Sequence, residues 1–100
     1  MSVCKTARFS VRPERLEECL EAIRKFVDYI KANEPGTRLY ASFRERDDAH
    51  AFLHVMIFDD AEAEARHRNS DAVRRFTGVI YPASVGGVAF ADFAEVASTH

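Results

Sequence analysis

The eight residues Asn33-Glu34-Pro35-Gly36-Thr37-Arg38-Leu39-Tyr40 close a long helical run and open a strand with almost no chain between them. Pro35 cannot continue a helix and biases Glu34 towards extended backbone, while Gly36 is free to take the positive φ that a helix exit often uses. A chain of 100 residues, read as one domain over 1–100, must then fold its remaining elements back onto this junction. At that length roughly 60–65% of the unfolded surface can leave water, enough for one core and no second domain.

Upstream of the junction, Val3 to Val11 reads as a first strand, and Arg12-Pro13-Glu14 turns the chain, with Pro13 near the first helical position where its missing N–H is harmless. From there to about Ala32, Leu16, Cys19, Leu20, Ile23, Phe26, Val27 and Ile30 recur three and four apart, which predicts a helix with one buried face. Glu14, Glu17, Glu18, Glu21, Arg24, Lys25, Asp28 and Lys31 make the opposite face, which is expected to be solvated. Arg38 to Glu45 alternates Leu39, Ala41 and Phe43 against Arg38, Tyr40, Ser42 and Arg44, the pattern of a strand with two unlike faces. After an acidic turn at Arg46-Asp47-Asp48-Ala49, Ala51 to Phe58 makes a third strand, apolar on both faces apart from His54. One helix layer covers only one face of a four-stranded sheet, so the other face is expected to meet a second subunit, as a homodimer.

Asp59 is the expected N-cap of the next helix, with Glu62 three residues on completing a capping-box pair. Ser70-Asp71 reads as a second N-cap, which predicts a break near Asn69 before a packed segment carrying Val73, Phe76 and Ile80. Tyr81-Pro82 ends that helix, Gly86-Gly87 gives a turn, and Val88 to Val96 is the last strand. Strand, helix, strand, strand, helix, strand is the order of an α+β, ferredoxin-like βαββαβ sandwich.

Charge and composition remove several classes of function. The net charge is −2 and Lys and Arg are scattered rather than striped, so no nucleic-acid partner is expected. No apolar run approaches the ~20 residues that cross a bilayer, so no membrane is expected either. The start, Met1-Ser2-Val3-Cys4-Lys5-Thr6, has no apolar signal region, which points to a cytoplasmic location. Cys4 and Cys19 lack metal spacing and read as buried reduced thiols. No phosphate loop, Ser-His-Asp arrangement, paired-carboxylate motif or metal-ligand cluster can be read from the spacings, so the expectation is no cofactor and no metal.

Glu34-Pro35-Gly36 with Tyr40 following, an apolar strand ending Phe58-Asp59-Asp60, then Ala65-Arg66-His67-Arg68-Asn69-Ser70 and Phe76 beyond, come in an order and spacing that resemble the antibiotic biosynthesis monooxygenase family. Phe9-Ser10-Val11-Arg12-Pro13 and Val88 to Val96 agree with it at the ends. The resemblance implies a sandwich that dimerises through its sheets into an α+β barrel. It also implies oxidation of a phenolic, quinol or polyketide-like aromatic by molecular oxygen without metal or flavin. Phe58 stands where many members carry Trp, no Asn marks Val3 to Val11, and Thr77 falls near the haem-ligating His of a related haem-degrading branch. Glu64 and Arg68 occupy positions that are usually apolar.

His67 matches a frequent family histidine, and imidazole takes and returns a proton near neutral pH, so the resemblance implies a catalytic role for it. For substrate binding, strand alternation puts His54 on one face with Phe52, Met56 and Phe58, and the Phe52 and Phe58 rings could wall a pocket to which Tyr40 adds a phenol. Arg44 shares the parity of Tyr40 and could receive a phenolate. His50 by a turn and His100 at the terminus are given no role, and Asp92, in an otherwise apolar strand, is expected to pair with an arginine across the dimer. Two readings stay open: a monooxygenase, and a non-catalytic ligand-binding or oligomerisation domain of the same fold.

Overall fold

The computed structural model describes residues 2–99, so His100 lies outside the described residues. The elements are β1 (Val3–Val11), a 3₁₀ turn (Pro13–Arg15), α1 (Leu16–Asn33), β2 (Thr37–Arg44), β3 (Ala51–Phe58), α2 (Ala61–Arg68), α3 (Asp71–Ala83) and β4 (Ser84–Phe93). The strands form one antiparallel sheet in the order β2-β3-β1-β4, the ferredoxin-like arrangement. All helices lie on one face. The helical spacing in α1 buries Cys19, Ile23, Phe26 and Ile30, and Phe26 stacks on Phe76 of α3 with ring centroids 4.3 Å apart. Under the α1–α3 pair, Phe9, Val11, Phe52 and Ile80 make the main apolar cluster, and Ala7, Met56 and Phe58 make a second one towards α2.

Several local expectations change. Asp60, not Asp59, caps α2, with its carboxylate accepting from the Ala63 N–H at 2.8 Å. The reason is that the Asp59 N–H is held by the Gly36 carbonyl at 2.8 Å and its side chain by Arg38, so Asp59 stays tied to the start of β2 just past the end of β3. Residue 63 being alanine, no capping box forms. Ser70 does cap α3, accepting from Val73 N–H, and the break falls at Asn69 as its polar run predicts. Gly86 and Gly87 are not a separate turn. They take φ of 77° and 81° inside β4, where its register against β1 shifts between Arg8 and Ser10, so they form a bulge and the strand starts at Ser84 and ends at Phe93. Gly36 does not use positive φ. An added Cβ there would stand 2.7 Å from the Ala63 Cβ, so the glycine is required for the close approach of α2 to the start of β2. Cys19 is buried but Cys4 is only half-buried, and Asp92 pairs with Lys5 of the same chain at 3.2 Å. No described helix is long and apolar enough to cross a membrane.

Candidate functional site

Between the helices and the sheet, at the end where α3 gives way to α2, lies a cavity of about 350 Å³. That is at the small end of the roughly 300–1,000 Å³ common for small-molecule sites. Phe26 of α1, Phe58 of β3 and Phe76 of α3 give it aromatic walls, and Tyr40, His54 and His67 bring polar atoms to it. The cap at Asp60 starts α2 so that His67 falls in its last turn, facing inward and 8% exposed. The His67 ring stands 5.0 Å from that of Phe58 and 5.7 Å from that of Tyr40, centroid to centroid.

His67 has a partner that sequence reasoning missed. Its Nδ1 lies 2.8 Å from Oε1 of Glu34, and the two side chains are 10% and 11% exposed. Glu34 is the C-cap of α1, and the same Oε1 accepts the Thr37 hydroxyl at 2.7 Å. A carboxylate accepts and does not donate, so it fixes the imidazole proton on Nδ1 and leaves the lone pair on Nε2. Its other oxygen, Oε2, is buried with no hydrogen-bond partner among the described residues. A buried unsatisfied acceptor costs about 1–3 kcal/mol, a cost typically sustained at sites with a use for the charge. One signal was available: a carboxylate at a helix C-terminus faces the negative end of the helix dipole, where a basic residue is ordinarily favoured.

A second hydrogen-bonded group runs beside the first. Ser42 and His54 are cross-strand partners, and His54 is 1% exposed, with Nε2 2.8 Å from the Ser42 hydroxyl and Nδ1 2.8 Å from that of Tyr40. Burial pushes the His54 pKa down to about 4, so the ring is neutral near pH 7, and hydroxyls on both sides satisfy either tautomer. Burial, then the nearby Glu34 and Tyr81, raise the Tyr40 phenol far above its ordinary value, so Tyr40 stays a neutral donor in the cavity wall. With both nitrogens engaged, His54 can act on a ligand only through Tyr40.

Two residues anticipated at the site are not brought to it. Phe52 stacks on Phe9 at a centroid distance of 5.4 Å in the main core, and Arg44, paired across strands with Phe52, is exposed. Both lie at the end of the sheet away from Phe58, where α1 and α3 close directly on the strands and leave no space. Among the described residues no three His, Cys, Asp or Glu side chains converge as a metal-binding group.

The family model for antibiotic biosynthesis monooxygenase matches residues 2–78. The chain belongs to the antibiotic biosynthesis monooxygenase family. Its fold is shared with a candidate antibiotic biosynthesis monooxygenase from Bacteroides thetaiotaomicron, at a TM-score of 0.91 and 16% identity over 99% of this chain and 93% of that one. A Mycobacterium tuberculosis protein matches with a TM-score of 0.90 and 18% identity over 100% of both chains. A Pseudomonas aeruginosa protein gives 0.84 and 23%, over 96% of this chain and 95% of its own. No curated protein matches. At these identities the structures speak for the fold. Within the antibiotic biosynthesis monooxygenase family, what this chain does with the fold rests on its own cavity.

Proposed function

We propose that this protein is a cofactor-independent monooxygenase of a phenol, quinol or polyketide-like aromatic, with His67 as the proton carrier. The observation that carries the reading is the Glu34–His67 pair, 2.8 Å between Oε1 and Nδ1, set in the wall of an aromatic cavity of ring size. Nε2 takes the proton of the substrate hydroxyl, and the carboxylate stabilises the imidazolium that forms. The ionised ring, now electron-rich, gives one electron to molecular oxygen, and the aryloxyl radical and superoxide join in a carbon–oxygen bond at a ring carbon that bears hydrogen, para to the hydroxyl in a phenol and ortho to it in a hydroquinone. The imidazolium returns its proton to the outer peroxide oxygen. Loss of the ring hydrogen as a proton and cleavage of the O–O bond then release water and leave a quinone. One phenol and one oxygen molecule give one quinone and one water. The aromatic walls hold the ring beside the base, and Tyr40, a neutral donor, supports negative charge on the substrate oxygen.

We further infer a homodimer that uses the open face of the sheet. On that face Leu39, Phe43, Val85 and Phe93 are each 41–58% exposed, and Leu53, Val55 and Ile57 of β3 lie between them half-buried. Thr6, Arg8 and Ser10 of β1 interrupt this face, so its apolar part is densest over β2 and β3, and an exposed apolar sheet patch of this kind is ordinarily covered in solution.

Oxygen uptake with a panel of hydroquinones in metal-free buffer tests the enzyme reading, with His67→Ala beside the wild type. Turnover that falls roughly 10²–10⁴-fold in the variant at an unchanged melting temperature supports it. Ligand binding without oxygen uptake by the wild type would put a non-catalytic binding domain in its place.

A further inference from the structure

The wall that α2 and β1 give to the cavity is charged, which holding an aromatic ring does not require. Lys5 sits on the central strand β1 in register with Met56 and Asp92, on the helix-side face it shares with Ala7. An ammonium is rare in such a position. Lys5, Glu64 and Arg68 all line the cavity. Arg68 Nη1 donates to both oxygens of Glu64 at 2.6 Å each, so that carboxylate, 14% exposed, is already matched. Lys5 is held less firmly. Its Nζ is 3.2 Å from Asp92, a carboxylate 80% exposed, and 4.0 Å from Glu64 Oε2, beyond hydrogen-bond reach. An ammonium offers three donors, and an exposed ion pair contributes little. Of the residues that line the wall, two are cations and one is a carboxylate, with Asp92 outside the lining, and Lys5 is the less exposed of the two cations and has donor capacity left.

Resting on the reading of the cavity as an aromatic site, we propose that Lys5 makes it select substrates whose ring bears an anionic substituent, a carboxylate on the ring or on a short arm. The ring lies among Phe26, Phe58 and Phe76, and the carboxylate meets Lys5 at the mouth in place of the screened Asp92. Arg68, more exposed, adds a second positive charge at the rim. A cationic substituent would have to take Glu64 from Arg68 and stand against Lys5, so the preference has a sign.

Calorimetric titration of the full chain with gentisate, its methyl ester and the matching benzylamine tests this. The acid should bind roughly tenfold more tightly than the ester at low ionic strength. That margin should shrink as salt is added. Lys5→Met should bring the acid-to-ester ratio close to one through loss of acid affinity, and Lys5→Arg, which keeps the charge, should restore it. Equal binding of acid and ester, tighter binding of the amine, or an unchanged ratio in Lys5→Met would overturn the proposal. An ester that binds and turns over as well as the acid leaves the aromatic site standing and removes only the anionic preference. No binding by any probe, with no oxygen uptake on neutral hydroquinones, removes both.

Discussion

Nδ1 of His67 and Oε1 of Glu34 stand 2.8 Å apart across 33 residues of sequence, and the turn that ends α1 holds the carboxylate in place through the Thr37 hydroxyl. Glu34 is not among the residues that line the cavity, so in the proposed reaction it would act through the imidazole.

Glu34→Gln keeps the shape and an acceptor oxygen but removes the charge that faces the imidazolium. Turnover should fall roughly ten- to a hundredfold, less than in His67→Ala. KM should stay within about threefold, because the carboxylate contributes nothing to substrate binding itself. Steady-state kinetics decides the matter, and an unchanged kcat would make the carboxylate purely structural.

His54 predicts a dependence of stability on pH. Its folded pKa, depressed by burial to about 4, lies below the unfolded value near 6.5, so the unfolded chain binds the extra proton first. Stability is therefore fully present above pH 6.5 and is lost as pH falls towards 4, by about 3 kcal/mol from this residue. Urea midpoints measured at several pH values on the wild type and on His54→Gln should show that part of the slope only in the wild type. Equal slopes would mean that His54 is not held neutral.

Gly36→Ala places a methyl 2.7 Å from the Ala63 Cβ and 3.1 Å from Arg66 Nη2, so α2 must move outward. Overpacking of this kind costs about 1–3 kcal/mol. It should also lengthen the Glu34–His67 contact. Activity assayed well below the melting temperature should thus drop although the variant is folded. Wild-type turnover in a less stable variant would uncouple the glycine from the site.

Val55 lies at the middle of the open sheet face, paired with Thr6 on one side and Ala41 on the other. Sedimentation of the wild type should give twice the 11.3 kDa of the chain, and Val55→Asp, which sets an unpaired charge in that face, should give a folded monomer or an unfolded chain. A persistent wild-type monomer, or a folded dimer of the variant, argues against the sheet face as the interface.

The element order was legible because its signals are local. Apolar spacing from Leu16 to Ile30, alternation from Leu39 to Phe43 and the Ser70 cap each depend on neighbours within a few positions. His67 was legible as a candidate, and Phe58 and Tyr40 fall at the cavity with it. Glu34 was not, because its meaning depends on a contact that exists only once α2 has docked beside Gly36. Asp59 and Asp60 are chemically the same, and the hydrogen bond just past the strand's end, from Asp59 to Gly36, decides which one caps the helix. Gly86-Gly87 permits positive φ in a turn or in a bulge alike, and only the pairing with β1 selects the bulge. Strand parity put Phe52 and Arg44 on the right face, but parity carries no information about which end of that face stays open.

Helix α2 buries only Ala63 and His67, and its other ties to the body are polar, through Glu34 and Lys5, while α1 and α3 are closed by stacked rings. Little apolar surface resists its lifting away, so amide exchange over residues 61–68 should be faster than in α3, and equal protection would contradict this. The hydrogen bond that would orient the proposed base, from His67 Nδ1 to Glu34, would at the same time fasten this door. A wall swung out to admit a ring would have let go of its carboxylate, so an open mouth would be a disarmed one. In the proposed reaction, oxygen that drifted in early would meet a phenol still holding its proton, and the electron would be released only once the door was shut.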